Sequence, residues 1–446
     1  MAPQKSIIIS VFLFIMTCIM SCSKSNILES NKEENTEFII YSDADYPPIP
    51  KIEIPISNQR FVGGLNASDS NNGSKESPWA TFDKALQELS KSKTWYCLNL
   101  LSDIKVDSFI DTKYYGPGPG TPQQFAYIRS SPSLSTPATL TLNARVEIDG
   151  QQNWIWHNFK MAGTKGINIG QDLKTNHHTI RNIEGVMTGT GGDNHGFFQA
   201  LNYNANYFGV FNCNFTGPGI TGIHGNTATI IAFRITHMRI ENNVFTNAPR
   251  PLYYKHSNIQ INGKASVHIR YNHQPETSPG ESCFFAGRAE GGVFEITNNI
   301  FGSNVQISNG GGSEQPEGHF ISHNTFLKDL ILENGNDPVI NATIENNIIL
   351  GNLELLRYGT NINTNKSNYQ LIAGNIYYQS KIYTLAQWQK NTVPNNQDIN
   401  SIAGSPSFTG NLSKPINYKL KTNSIGKAAA SNGEDMGAEV INVGNI

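Results

Sequence analysis

The chain has 446 residues, with 33 Lys and Arg against 35 Asp and Glu and a net charge of −2. This balance gives no electrostatic case for a nucleic-acid partner. Only 15% of the residues are charged, and no P-loop, dinucleotide fingerprint or GxSxG elbow is present. Composition therefore favours a weakly charged, turn-rich fold and excludes the nucleotide-binding and serine-hydrolase motif classes.

The N-terminus reads as a targeting segment in residues 1–21, followed by a flexible tether in 22–60. The apolar run from Ile7 to Met20 is short for a membrane span. It ends in Ile19-Met20-Ser21-Cys22, which resembles the lipobox of bacterial lipoproteins. The resemblance implies export and acylation of Cys22, with the lipid as the only anchor to the bacterial membrane, on its surface or periplasmic face. A plain secretory signal remains the alternative.

The folded part is predicted to open with a cap in residues 61–91. Ser77 and Pro78 suit an N-cap and a first helical position. The apolar residues that follow share one helical face: Trp79, Phe82, Leu86 and Leu89. We expect this helix to cover the open end of a repetitive β structure.

After this cap, a three-residue frame recurs that consists of an apolar residue, one spacer and a residue that is mostly Asn. The third residue of each frame is called the column residue. The frames begin at Ile180, Val210, Ile240, Ile269, Ile296, Ile321 and Ile344, and the column residues are Asn182, Asn212, Asn242, Tyr271, Asn298, His323 and Asn346. The steps are 30, 30, 29, 27, 25 and 23 residues, a range typical of stacked supersecondary units. Asn tolerates the left-handed conformation of a sharp turn, and stacked Asn side chains can bond to one another. The pattern predicts a parallel β-helix.

Both ends of the repeat resemble right-handed parallel β-helix proteins of the pectate-lyase-like superfamily. The opening motif is Gly64 to Asp69, Gly73-Ser74, Ser77-Pro78-Trp79, Thr81 and Lys84-Ala85-Leu86; the closing motif includes Tyr383 to Gln389, Asp398 to Ser401, Ser405 to Phe408, Tyr418 to Leu420 and Asp435 to Ala438. The resemblance implies an all-β, right-handed parallel β-helix over residues 61–440, with a C-terminal cap segment in 380–440. Because one fold hosts many chemistries, it leaves the activity open.

Three basic residues occupy similar places in successive coils. His195, His224 and Lys255 lie 12 or 13 residues after the column residue of their coils, so they are predicted to stack on one strand face. Neighbouring strands lie about 4.8 Å apart, and such a line suits a linear polymer. Glu281, Glu290 and other carboxylates offset only part of the local positive charge.

The strand around Lys255 alternates in character. Two-residue alternation puts Tyr253 and Lys255 on one face and Leu252, Tyr254 and His256 on the other. If Leu252 points inward, Lys255 points outward beside an aromatic platform. Tyr253, His195, Arg270 and His256 are candidate contacts for an anionic substrate.

Cleavage of a uronic-acid polymer by β-elimination needs a base, a group that neutralises the carboxylate and an acid for the leaving oxygen. Superfamily lyases use Lys or Arg as the base, and the resemblance makes Lys255 the candidate here. Arg288 or Arg270 is a candidate partner for the carboxylate, because Arg binds carboxylates in a bidentate manner. The candidate acids are His224, His195 and Tyr253.

The clustered Asp residues that calcium-dependent pectate lyases carry are missing. Asp149, Asp172 and Asp193 are the only Asp residues between Asp111 and Asp329, and the spacing suggests no cluster. We therefore expect no metal or cofactor, although calcium remains open. Cys97, Cys213 and Cys283 form neither a disulfide framework nor a zinc signature.

The sequence favours a monomeric, lipid-anchored polysaccharide lyase that acts on an acidic glycan. Two alternatives stay open. One is a glycoside hydrolase on the same scaffold, with Glu281 and Glu290, or Asp193 and Glu184, as its carboxylate pair. The other is a non-catalytic surface protein that binds glycans.

Overall fold

A computed structural model gives the architecture of the chain. It describes residues 46, 49, 53–188, 196–202, 204–217, 227–235, 237–248, 250–255, 265–275, 283–288, 292–308, 319–334, 337–338, 342–356, 366–390 and 397–444. The described strands stack in parallel into long sheets, and each coil of the chain contributes to them in turn. The predicted right-handed parallel β-helix is confirmed.

The first sheet has twelve described strands, all paired in parallel. In order they are Gln59–Val62, Cys97–Leu100, Ala126–Ser130, Trp154–His157, His178–Arg181, Phe208–Phe211, His237–Glu241, Ala265–Arg270, Gly292–Thr297, Phe320–Ser322, Thr343–Glu345 and Lys366–Asn368. Each coil returns the chain to this sheet one strand further along the axis.

The second sheet follows the sharp turn after each first-sheet strand. Its strands are Ile104–Val106, Thr139–Leu142, Lys160–Gly163, Glu184–Met187, Asn214–Thr216 and Val244–Thr246, then Ile300–Phe301, Thr325–Phe326, Ile348–Ile349, Leu371–Ile372 and Ile402–Ala403. His273 joins the two groups through parallel bridges to Val244 and Ile300.

The third sheet closes each coil. Its first six strands are Ile110–Asp111, Val146–Ile148, Ile167–Ile169, Phe198–Ala200, Ile230–Phe233 and Leu252–Lys255. Its second group is Cys283–Arg288, Asn304–Ser308, Leu330–Ile331, Leu353–Leu356, Ile376–Tyr378 and the antiparallel Lys381–Tyr383. Outside the three sheets, Glu333–Asn334 and Asp337–Pro338 form a small antiparallel pair, and short 3₁₀ turns span Ile56–Asn58, Thr112–Tyr114 and Pro415–Tyr418.

Apolar side chains that point inward stack into one continuous core. The inward row of the first sheet includes Leu98, Ile128, Trp156, Ile180, Val210, Ile240, Ile269, Ile296, Ile321 and Ile344, all paired in register and almost fully buried. In the second sheet, Phe215 stacks on Phe245 and Phe301 on Phe326. The apolar frames read from the sequence are therefore the inward face of the helix.

The turn column adopts the backbone conformation that the sequence predicts. Asn182, Asn212 and Asn242 have φ of 53°, 53° and 61°, and even Tyr271 and His323 have φ of 55° and 54°. Asn has a small polar side chain that tolerates this left-handed region, which explains the column.

The expected side-chain ladder lies one residue later than the column. Its members are fully buried and bonded in sequence: Asn243, Asn272, Asn299, Asn324, Asn347 and Gln370. Each amide donates to the next side-chain oxygen at 2.9–3.1 Å. Within the column itself, only the bond from Asn242 to Asn212, at 3.2 Å, joins two Asn side chains among the described residues. The shift arises because the residue after the left-handed turn points inward.

The predicted N-terminal helix is present at Phe82–Lys91 and packs Phe82, Leu86 and Leu89 onto the core. Its start differs from the prediction, because Thr81 and not Ser77 is the N-cap and accepts from the Lys84 amide. Trp79 is buried but precedes the helix, since its backbone pairs with the first strand.

A second helix, Leu385–Lys390, covers the other end of the core. Its Trp388 is buried and donates through Nε1 to Oδ2 of Asp398 at 3.0 Å. The hydroxyls of Ser367 and Ser401 donate to Oδ1 of the same carboxylate, each at 2.8 Å. The closing motif noted in the sequence thus joins the last helix to the last coils.

The C-terminal segment runs back along the turn column. The amides of Gly437 and Gly444 donate to the carbonyls of Asn346 and Tyr271, and the Glu439 amide donates to Oδ1 of Asn298. Side chains of the column therefore bind this segment in the later coils. Sequence reasoning missed this role, because it depends on contacts between residues far apart in the chain.

Cys97 and Cys213 are buried free thiols. Burial raises the pKa of Cys213 to about 12, so this thiol is an unreactive part of the core. In the part of the chain that the structure describes, no helix has the length and apolar character needed to cross a membrane.

Candidate functional site

The structure describes some of the predicted site residues and not others. Cys22, His195, His224 and His256 lie outside the described residues. Lys255 and Arg288 end two described strands of the third sheet, Leu252–Lys255 and Cys283–Arg288, which contact each other. For both residues the structure describes the backbone position.

The register corrects the predicted stacking of His224 with Lys255. Lys255 pairs with Phe233, and Leu252 pairs with Ile230. The connections into these strands have different lengths: residues 188–197, 217–229 and 247–251 separate the second and third sheets in three successive coils. A fixed offset from the column residue therefore falls at a different distance from the third-sheet strand in each coil. His224 precedes the strand Ile230–Phe233 in the chain.

The alternation predicted around Lys255 is confirmed at the described side chains. Leu252 and Tyr254 are buried in the core, and the Tyr254 hydroxyl donates to the carbonyl of Ile235 at 2.6 Å. Tyr253 is half-buried and points to the outer face. Its strand therefore presents Tyr253 and the Lys255 position on the outside.

An aromatic and cationic platform surrounds Tyr253. The ring of Phe233, one coil earlier, meets the Tyr253 ring edge to face at 5.8 Å between centroids. The Arg250 guanidinium lies 5.0 Å from the Tyr253 ring centroid, close enough for a cation–π contact. Phe233 is half-buried like Tyr253, so the platform offers ring surface and positive charge together.

Arg270 lies elsewhere, on the outward face of the first sheet. Its Nη2 is 2.6 Å from Oε1 of Glu295, and Nδ1 of His268 is 2.8 Å from Oε2 of the same carboxylate. Burial acts to raise the pKa of Glu295, but the His268 hydrogen bond and the Arg270 charge outweigh it, and the pKa is lowered. The structure thus places Arg270 in a charge network on a different sheet from Tyr253.

A second charge network on the first sheet is also paired. Arg239 donates to both carboxylate oxygens of Glu241, at 2.8 and 2.9 Å. Arg239, Arg181, Phe211 and Tyr46 line a groove of about 280 Å³. Tyr46 belongs to the predicted tether, yet it is buried, and its carbonyl accepts from Arg181 at 2.8 Å. The predicted local excess of positive charge is therefore offset on this sheet.

The outward face of the third sheet carries a polar row that sequence reasoning missed. From the N-terminal edge, the paired residues are Asp111, Glu147, Asn168, Gln199, Ile231 and Tyr253. One oxygen each of Asp111, Glu147 and Asp149 lies within 4.8 Å of the others. Asp149 therefore does belong to a cluster, contrary to the reading from spacing. The alternation of Glu147 and Asp149 around Ile148 was the signal available in the sequence.

The carboxylate pair of Asp193 and Glu184 stays a prediction, because the structure describes only Glu184. Glu184 lies in the second sheet and forms an ion pair with Lys160 at 3.1 Å. Asp193, Glu281 and Glu290 lie outside the described residues.

Comparisons with known proteins find likeness among solved structures. No protein-family model and no curated sequence matches the chain. A GH136 lacto-N-biosidase from Eubacterium ramulus aligns at 9% identity over 77% of this chain and 67% of its own, with a TM-score of 0.35. The PL6-family alginate lyase AlyGC aligns at 13% identity over 81% of this chain, with a TM-score of 0.36, and the alignment spans 58% of that enzyme. At these identities and TM-scores, neither enzyme's activity transfers to this chain.

Proposed function

We propose that the protein is an exported, lipid-anchored polysaccharide lyase that binds an acidic glycan on the outward face of the third sheet. The observation that carries the proposal is the platform of Tyr253, Phe233 and Arg250, beside the strand end at Lys255. Sugar rings stack on aromatic faces, and a guanidinium attracts a uronate carboxylate. A sheet of parallel strands repeats such positions along its axis, which suits a linear chain of sugars.

Lys255 is the proposed base. A Lys beside other cations has a lowered pKa and can accept the proton next to the uronate carboxylate. Arg288 ends the adjacent strand and is proposed to neutralise that carboxylate, while His224 protonates the leaving oxygen. Arg270 is left out of this mechanism because Glu295 already pairs with it on the first sheet.

The test is ultraviolet absorbance of the purified mature protein with alginate, pectate, chondroitin sulfate, hyaluronan and heparin. Elimination creates a conjugated double bond, so we expect rising absorbance with one polymer and its loss in Lys255→Ala. Lys105→Ala is the matched control, because Lys105 is exposed in a second-sheet strand.

The other outcomes separate the alternatives. New reducing ends without absorbance would establish a hydrolase and overturn the lyase proposal. Binding to a polymer without either product would establish a glycan-binding protein. An unchanged rate in Lys255→Ala, with absorbance still rising, would remove Lys255 as the base.

A further inference from the structure

Three carboxylates meet at the N-terminal edge of the third sheet, away from the proposed catalytic strand. Asp111 pairs in register with Glu147 on the next strand, and Asp149 follows two residues later on the same face. One oxygen of each lies within 4.8 Å of the other two. Parallel strands lie about 4.8 Å apart, so the pairing itself brings these groups together.

Each carboxylate already uses one oxygen for a structural bond. Oδ1 of Asp111 accepts from the Lys113 amide at 2.9 Å, and Oε1 of Glu147 lies 3.0 Å from Nε of Arg145. Oδ1 of Asp149 accepts from the amides of residues 172 and 173 at 3.0 and 3.2 Å. These contacts hold the carboxylates in place, and Glu147 also accepts a side-chain hydrogen bond from Asn168.

Asp149 supplies the decisive observation. It is only 1% exposed, and its Oδ2 has no hydrogen-bond partner. A buried carboxylate oxygen without a partner costs several kcal/mol in an apolar setting. A buried carboxylate oxygen without a hydrogen-bond partner, in a residue of a three-carboxylate cluster, suits a cation ligand.

The strand next to Glu147 carries a second buried oxygen without a hydrogen-bond partner. Asn168 pairs with Glu147 from the next strand, is 2% exposed, and its Oδ1 also has no hydrogen-bond partner. Amide oxygens and carboxylates are the ligands that calcium uses. Positive charge beside the three carboxylates is limited, because Arg145 is half exposed and Lys113 forms an ion pair with Asp172.

We propose that Asp111, Glu147 and Asp149 form a binding site for a divalent cation of the calcium type. Calcium accepts irregular arrangements of several oxygen ligands, whereas magnesium requires a near-octahedral set and keeps most of its water. The site ties the two-residue strand Ile110–Asp111, which is the last strand at this edge of the sheet, to its neighbour. Its role is to stabilise the N-terminal coils, and it is independent of the lyase proposal.

Calcium binding to the purified mature protein tests the site after removal of bound metal with a chelator. Calorimetric titration with calcium chloride should show one saturable site, and thermal unfolding should shift to higher temperature as calcium is added. Asp149→Asn keeps the oxygen that accepts from residues 172 and 173 but loses the charge. We expect it to weaken calcium binding by about tenfold or more.

Two comparisons keep the result specific. Asp111→Asn should weaken binding as well, and its half-buried position makes it a milder change to the fold. Asp103→Asn is the matched control, since Asp103 is exposed and, among the described residues, its side chain accepts only from the Thr139 amide. Circular dichroism confirms that each variant is folded.

Three results would overturn the proposal. They are no saturable calcium binding to the folded protein, equal affinity in the unmodified protein and in both cluster variants, and tighter binding of magnesium than of calcium. The first would mean that the carboxylates share protons instead of a cation.

Discussion

Asn299 donates through Nδ2 to Oδ1 of Asn324 at 3.0 Å, one coil further along the axis. The same amide nitrogen reaches the carbonyls of Ile269 and Thr297 at 2.8 and 3.0 Å. In turn, Oδ1 of Asn299 accepts from both the backbone and the side chain of Asn272. Each step of the ladder therefore satisfies buried polar groups of three successive coils.

Replacement of Asn299 by Ala should be strongly destabilising. It leaves several buried donors and acceptors without partners, and each costs about 1–3 kcal/mol. We expect the free energy of unfolding in urea to fall by at least about 3 kcal/mol. Asn143→Ala is the control, because Asn143 is exposed and its effect should stay within about 0.5 kcal/mol. Equal effects of the two changes would show that the ladder contributes little.

Substitutions in the turn column test the effect of backbone conformation separately from that of side-chain bonding. Asn182 has φ of 53°, a region that costs a residue with a Cβ about 1–2 kcal/mol. Asn182→Gly should therefore leave stability nearly unchanged, while Asn182→Ala should lower it by about 1 kcal/mol. Chemical denaturation of the two variants side by side measures this difference. Ala at least as stable as Gly would contradict the conformational explanation.

Burial of His319 should make the stability of the fold depend on pH. It is fully buried, its Nδ1 accepts from the Phe294 amide at 3.1 Å, and burial lowers its pKa from 6.5 to about 3. The unfolded chain therefore binds a proton below pH 6.5 that the folded chain refuses. Stability from this group is fully present above pH 6.5 and is lost as pH falls toward 3, at up to about 1.4 kcal/mol per pH unit.

His319→Asn should reduce this acid sensitivity. The Asn oxygen can replace Nδ1 as the acceptor, and Asn does not titrate. Its smaller size costs stability equally at every pH, so the slope between pH 6 and 4 is the informative quantity. Unfolding in urea at several pH values measures that slope, with Asn143→Ala as the variant that should leave it unchanged. A slope identical to that of the unmodified protein would exclude His319 as a contributor.

Tyr253 should determine affinity for the glycan if the proposed function holds. Tyr253→Ala removes the ring that contacts both Phe233 and Arg250, and we expect affinity to fall about tenfold, in line with a lost stacking contact. Tyr253→Phe should keep most of the affinity. Calorimetry with the polymer that gives activity provides the measurement.

Arg270→Ala is the contrasting variant for this experiment. Arg270 pairs with Glu295 on the first sheet, so its loss should lower stability and leave the dissociation constant unchanged. A larger loss of affinity in Arg270→Ala than in Tyr253→Ala would move the glycan site to the first sheet.

The repeat itself was readable from the sequence because its causes are local. A left-handed turn favours Asn, and the residue two positions earlier must be apolar to fill the core. These requirements recur in every coil, so the frames from Ile180 to Ile344 predicted the inward column correctly. The capping helix was predicted for the same reason, although its start moved to Thr81 because Trp79 pairs with the first strand.

The contacts that only the tertiary structure decided depend on the register between distant strands. Lys255 pairs with Phe233 because the connections between the sheets differ in length from coil to coil, which no fixed spacing reveals. Asp111 meets Glu147 only because the long segment between them closes one full coil. Arg270 finds Glu295 in the same way. The sequence therefore determined which residues face inward and where the chain turns, whereas pairing across coils decided which polar groups meet.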